Sequence, residues 1–125
     1  MIEPEICFAD LNDVMDLTED YVKYCLRYVM QNNADDIEFF NKHIDTTLKE
    51  RLDNVVQSEV VRITYTDAIA LLVDHMQQKK KKFAVKPVWG IDMGSEHERY
   101  LAEEVYKGPI IVYDYPKDFK AFYMR

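Results

Sequence analysis

Ser95-Glu96-His97-Glu98-Arg99-Tyr100-Leu101-Ala102-Glu103-Glu104-Val105-Tyr106-Lys107-Gly108-Pro109-Ile110-Ile111-Val112-Tyr113 holds the change of period on which the fold class turns. Ser95-x-x-Glu98 has the form of a capping box, in which side chains and free amides at a helix start satisfy each other. Tyr100, Leu101, Val105 and Tyr106 then recur at helical spacing and predict a helix to about Lys107. Gly108 suits the left-handed residue beyond a helix end, and Pro109 prevents continuation. Pro109–Tyr113 follows as an unbroken apolar run, the mark of a central strand.

The same grammar extends outward. Upstream, Val60–Ile63 reads as a short strand, and Thr64-Tyr65-Thr66-Asp67 as a second capping box. It opens a helix carrying Ala68, Ile69, Leu71, Leu72, Val73 and Met76. Phe83–Met93 reads as loop and short strand around Pro87-Val88-Trp89-Gly90. Downstream, Tyr115–Asp118 is a turn and Phe119–Arg125 a closing strand with Lys120 among aromatic residues. At the other end, Ile2–Ala9 alternates as a strand, with Ile2, Ile6 and Phe8 on one face and Glu3, Glu5 and Cys7 on the other. Pro4 donates no ladder bond, so that strand is at an edge or bulged. Asn12–Asn32 is a long helix with Val14, Leu17, Tyr21, Cys25, Tyr28 and Val29 as its apolar stripe. Ala34–Ser58 reads as two short helices, the second capped by Asp45 or Thr46. The outcome is an α+β chain with antiparallel strands and a helical insertion over about residues 33–59.

Composition narrows the class. A chain of 125 residues is one domain in size, and at 48% hydrophobic and 13% aromatic it is too apolar for disorder. No apolar run approaches the roughly 18 residues of a membrane-spanning helix. The net charge of −7 repels phosphates on average, so a polynucleotide is met only through a local basic patch or through other parts of a larger protein. Cys7 and Cys25 are too few for a disulfide framework, which points to a reducing, cytoplasmic compartment, an organelle being left open. Gly occurs three times. Strands that begin and end with the chain lead us to expect an excised piece of a larger domain.

Candidate chemistry is sparse. Glu3 and Glu5 on one strand face are either a substrate-facing pair or a solvated face. His97 is either a base or anion contact in a helix first turn, or an exposed residue between two Glu. His43 and His75 have no partner at metal-ligand spacing. Lys120 either reaches an acidic or amide substrate or snorkels at an edge. Lys79–Lys82 is either a polyanion contact or a solvated loop, and Tyr21, Tyr24 and Tyr28 either pack or stack on bases. No phosphate-binding glycine loop, HExxH, CxxC pair or nucleophile elbow occurs.

Three segments resemble asparaginyl-tRNA synthetases of the bacterial type. These are Met1-Ile2-Glu3-Pro4-Glu5-Ile6-Cys7-Phe8-Ala9-Asp10-Leu11, Trp89-Gly90-Ile91-Asp92-Met93-Gly94-Ser95-Glu96-His97-Glu98-Arg99-Tyr100-Leu101-Ala102-Glu103-Glu104, and Lys107-Gly108-Pro109 continued by Tyr115-Pro116-Lys117-Asp118-Phe119-Lys120-Ala121-Phe122-Tyr123-Met124-Arg125. The resemblance implies part of a class II catalytic domain, an antiparallel sheet flanked by helices. It also implies ATP-dependent activation of asparagine, transfer to its tRNA, Mg²⁺ as the ion of ATP, and a homodimeric parent. By family position Glu3, Lys120 and Tyr123 face the amino acid, while Glu5, Ser95, Glu96 and His97 lie beside the pocket. Residues for ATP and metal fall outside the chain, so the 125-residue piece alone is expected to be inactive. The alternatives are an aspartyl-type enzyme, a synthetase-like paralogue, or a non-catalytic interaction module.

Overall fold

The computed structural model describes residues 4–122. The chain divides into two compact units, Met1–Ser58 and Glu59–Arg125.

The first unit is helical. Pro4–Ala9 forms no strand, contrary to the alternation read from Ile2–Ala9, of which residues 1–3 lie outside the described range. Pro4 has no amide hydrogen to give a ladder, and Phe8 sits in the left-handed region at φ 59°, which ends any alternation of faces. Asp10 decides the matter. Its carboxylate accepts from the Asn12 and Asp13 amides at 2.7 and 3.1 Å, and Asp13 accepts from the Asp10 amide at 2.8 Å. This reciprocal cap starts α1, Leu11–Asn32. Next come α2, Ala34–His43, and α3, Leu48–Gln57. Asp45 serves the turn between them by accepting from both the amide and the hydroxyl of Thr47 at 2.9 and 2.7 Å, and those two bonds hold its carboxyl below its ordinary pKa.

Burial in this unit departs from the apolar stripe. Among its described residues only Met15 and Val56 are buried, while Val14, Leu17, Tyr21, Tyr28 and Val29 stay exposed. Lys23 and Glu19, which are not part of that stripe, are more enclosed. The Lys23 ammonium donates to Glu19 and to the Ser58 carbonyl, both at 2.8 Å. One long and two short helices enclose little volume, so a long lysine covering apolar surface with its stem takes the interior place.

The second unit holds the larger core. β1, Val61–Thr64, leads into α4, Tyr65–Gln78, whose N-terminus is capped by the Thr64 hydroxyl accepting from the Asp67 amide at 3.1 Å. Tyr65, Ala68, Ile69, Leu72 and His75 repeat at three- and four-residue steps and are all buried. With Ile63, Met93 and Leu101 the apolar members form one cluster. Fully burying a Leu or Ile side chain is worth roughly 1.5–3 kcal/mol, so this face holds the unit together. The loop Lys79–Gly94 follows without a strand, and α5, Ser95–Arg99, leads into a π-helix over Tyr100–Val105. The Tyr106 amide reaching the Leu101 carbonyl at 2.9 Å spans the wider turn. β2, Ile110–Tyr113, then pairs with β1, and a 3₁₀ turn follows at Lys117–Phe119.

Five expectations change here. The two strands pair in parallel, Val61 opposite Ile110 and Thr64 opposite Tyr113, rather than antiparallel, because the intervening α4, loop and α5 carry the chain back across. β2 has β1 as its one partner among the described residues, and residues 119–122 of the expected closing strand Phe119–Arg125 form no strand, the remaining 123–125 lying outside the described residues. Gly94, not Ser95, is the N-cap of α5 and makes no side-chain cap bond. Lys107, not Gly108, takes the left-handed position at φ 53°, since the π-helix shifts the helix end by one residue.

Tyr65 is fully buried, and its hydroxyl accepts from the Gly90 amide at 2.9 Å and donates to the Ile91 carbonyl at 2.6 Å. Tyr65→Phe leaves both backbone groups without that partner, so the second unit loses about 2 kcal/mol in urea unfolding. A change below about 0.5 kcal/mol would show that water replaces the hydroxyl.

Candidate functional site

The π-helix and β2 wall an open cleft of about 430 Å³ lined by Glu98, Arg99, Ala102, Glu103, Ile110, Val112 and Tyr115. Glu98, Arg99, Ala102 and Glu103 fall on one side of the helix because three- and four-residue steps share a face. Arg99 donates to Glu103 at 3.2 Å across the rim. The β2 residues supply an apolar floor, and Tyr115 closes one end with its ring 5.2 Å from that of Tyr65.

Lys120 stands beside that end. Its ammonium lies 4.2 Å from the centroid of the Tyr115 ring and 3.8 Å from the Asp92 carboxylate. A half-buried cation over a ring face gains from the ring's quadrupole. Burial, then the negative charges of Glu98 and Asp92, push the Tyr115 phenol up to about 12. Glu98 and Glu103 give the cleft its rim carboxylates, while Lys120 stands outside the lining, beside Tyr115.

The other residues singled out from the sequence are placed differently. Glu3 and Tyr123 lie outside the described residues, and Glu5 is exposed and not in a strand. Ser95 is exposed. Glu96 and His97 turn to the preceding loop. The Glu96 carboxylate accepts from the Ala84 amide at 2.8 Å, and His97 Nε2 donates to the Val85 carbonyl at 2.8 Å. His97 is buried, not exposed in a first turn, and its Nδ1 has no hydrogen-bond partner among the described residues. The cause is the loop Phe83–Val85, which folds over the ring and brings Phe83 to 5.2 Å from it. His75 is buried against the Tyr100 hydroxyl at 3.1 Å, and His43 is exposed beside Phe39. Asp92, Glu98, Arg99 and Tyr115 were not singled out. The four-residue steps from Glu98 to Ala102 and from Arg99 to Glu103 were the available signal.

A family model described as tRNA synthetases class II (D, K and N) matches residues 1–125. The chain belongs to that family. Asparagine–tRNA ligases from Bacillus cytotoxicus and Protochlamydia amoebophila are each 54% identical over 125 residues, covering 100% of this chain and 26% of theirs. The crystal structure of asparaginyl-tRNA synthetase from Pyrococcus horikoshii complexed with asparaginyl-adenylate matches with a TM-score of 0.68 and 36% identity, over 94% of this chain and 24% of that one. The resemblance read from the three segments therefore holds. The synthetase-family chain spans about a quarter of the length of the curated relatives it matches.

Tyrosinate absorbance should resolve a phenol ionising at about 12, absent in Tyr115→Phe. In Asp92→Asn it moves down toward the ordinary 10, since a repelling carboxylate is removed. Because the folded state holds this proton more tightly, Tyr115's contribution to stability is complete below pH ~10 and fades between ~10 and about 12. Titration indistinguishable from the other tyrosines would place Tyr115 in water.

Proposed function

We propose that these 125 residues are a stretch of the catalytic domain of an asparagine–tRNA ligase, with about residues 33–59 as a helical insertion within it. The observation that carries this reading is 54% identity along the entire chain to enzymes of that name. The ligase joins the carboxylate of asparagine to the α-phosphorus of ATP, releasing pyrophosphate, and then passes the acyl group to its tRNA. Cytoplasmic location and a homodimeric parent belong to the same reading, and among the described residues no helix is long and apolar enough to cross a membrane.

The protein's share of such a reaction is positioning and charge rather than covalent chemistry. Glu3, with Glu5 beside it, accepts from the amide or α-ammonium of asparagine. A carboxylate there repels the side chain of aspartate, which separates the two amino acids. Lys120, steered by Asp92 and the face of Tyr115, meets the anionic end of the ligand, with Tyr123 near it. Ser95, Glu96 and His97 act from beside the pocket, Glu96 and His97 by fixing the loop that precedes α5. Mg²⁺ accompanies ATP, and among the described residues no group of three His, Cys, Asp or Glu is placed to hold a cation.

The test is a chimera in which these residues replace the matching stretch of the Bacillus cytotoxicus enzyme. Asparagine-dependent ATP–pyrophosphate exchange is expected, with aspartate inert. A folded chimera without exchange, or one that prefers aspartate, would overturn the reading. The 125 residues alone are expected to give no exchange. In the chimera, Glu3→Gln removes a charge-assisted bond worth roughly 1.5–3 kcal/mol, so KM for asparagine rises about tenfold to a hundredfold while KM for ATP holds. An unchanged KM for asparagine would remove Glu3 from the pocket.

A further inference from the structure

The stretch Lys79–Trp89 of the loop between α4 and α5 is used by none of this chemistry, yet it is the most one-sided segment of the chain. Lys79, Lys80, Lys81, Lys82 and Lys86 fall within it, and no Asp or Glu occurs between Asp74 and Asp92. The protein as a whole carries 23 acidic and 16 basic residues, so this segment is a basic strap on an acidic molecule. Lys79, Lys80, Lys82 and Lys86 are exposed, and none makes an ion pair or hydrogen bond through its ammonium among the described residues.

A run of lysines is ordinarily a solvated, flexible loop. This one is pinned at both ends and in the middle. The Lys81 amide returns to the His75 carbonyl at 3.3 Å, with Lys80 between them in the left-handed region at φ 54°. The Lys81 ammonium lies 4.6 Å from the centroid of the Tyr100 ring, and Phe83 packs edge-on to the same ring at 5.2 Å. Glu96 and His97 hold Ala84 and Val85 by their backbone, and Pro87 is fully buried. Inward Lys81 and Phe83 alternate with outward Lys80 and Lys82. At the far end Trp89 is 63% exposed, with its indole NH fixed on the Thr66 hydroxyl at 3.1 Å.

We propose that the strap Lys79–Trp89 is a contact for the phosphate backbone of the tRNA, with Lys79, Lys80, Lys82 and Lys86 as the phosphate-neutralising groups. The proposal rests on the ligase reading, because a tRNA is the polyanion such an enzyme must hold. Two observations favour RNA over an acidic protein partner. Four exposed lysines on a tethered backbone can each neutralise a phosphate, and the exposed indole of Trp89, three residues on from Lys86, offers a stacking face for an unpaired base. Pinning lowers the ordering cost that a flexible lysine loop would meet on binding. A local basic patch of this kind is the route by which a chain of net charge −7 meets a polyanion.

The experiment replaces Lys79, Lys80, Lys82 and Lys86 together by Gln in the full-length chimera, with a companion in which all four become Arg. Binding of an asparagine-accepting tRNA transcript is measured across a salt series, beside asparagine-dependent ATP–pyrophosphate exchange, which needs no tRNA. The Gln variant is expected to bind tRNA about tenfold or more weakly at 0.1 M salt. Its plot of log affinity against log salt should be shallower by about 3, from four contacts at roughly 0.7–0.9 each. Exchange stays within about twofold of the unsubstituted chimera, and the Arg variant binds as the lysine form does. Unchanged affinity and slope in the Gln variant would overturn the proposal and leave the strap to a protein partner or to solvation. Loss of exchange in both variants would also overturn it, by making the lysines part of the folded framework. An unsubstituted chimera without exchange strikes the ligase reading instead, and the tRNA comparison still decides the strap.

Discussion

The hydroxyl of Tyr65 is the contact on which the larger unit depends. It sits where β1 ends and α4 begins, fully buried, and joins that junction to the backbone of Gly90 and Ile91. Its ring faces Tyr115 on one side and Trp89 on another. A loop of the length of Lys79–Gly94 has no strand or helix to hold it, and buried backbone groups in such a loop need partners from elsewhere. One phenol answers two of them and so fixes where Asp92 lies, which in turn sets the surroundings of Lys120.

From that junction the helix starting at Ser95 divides the labour of its own residues. Glu96 and His97 face the loop and hold it by main-chain atoms, while Glu98, Arg99, Ala102 and Glu103 face the cleft. The change to a π-helix at Tyr100 keeps Leu101 in the core. Neighbouring letters of one motif thus serve opposite sides, one building the wall and the other lining it.

Much of this was legible from residue pattern. α1, the pair α2 and α3, β1 and the capped α4 follow from three- and four-residue spacing and from the Thr64 and Asp67 box. The errors share a physical form. In Ile2–Ala9 the mutual cap of Asp10 and Asp13 and the left-handed Phe8 override the alternation from Pro4 on, and at residues 119–122 the chain turns where aromatic residues suggest a strand. Direction of strand pairing was not written in either strand, since Val61–Thr64 and Ile110–Tyr113 suit both. The family resemblance supplied the functional reading, because Glu3, Lys120 and Tyr123 carry no spacing that announces an amino-acid pocket. His97 was unreadable locally, for its burial comes from a loop a dozen residues earlier.

The parallel pairing of β1 with β2 has a kinetic side. Every rung of that ladder joins residues nearly fifty positions apart, from Val61 with Ile110 to Thr64 with Tyr113. α4 closes through neighbours and a cap that belong to it, so it can form within microseconds on its own contacts. The ladder must wait for a long loop to close before any rung rewards it, and non-local pairing of this kind slows folding. During synthesis β1 therefore leaves the ribosome well before its partner, and for that interval its exposed edge is protected only by its brevity and by the helix that follows it.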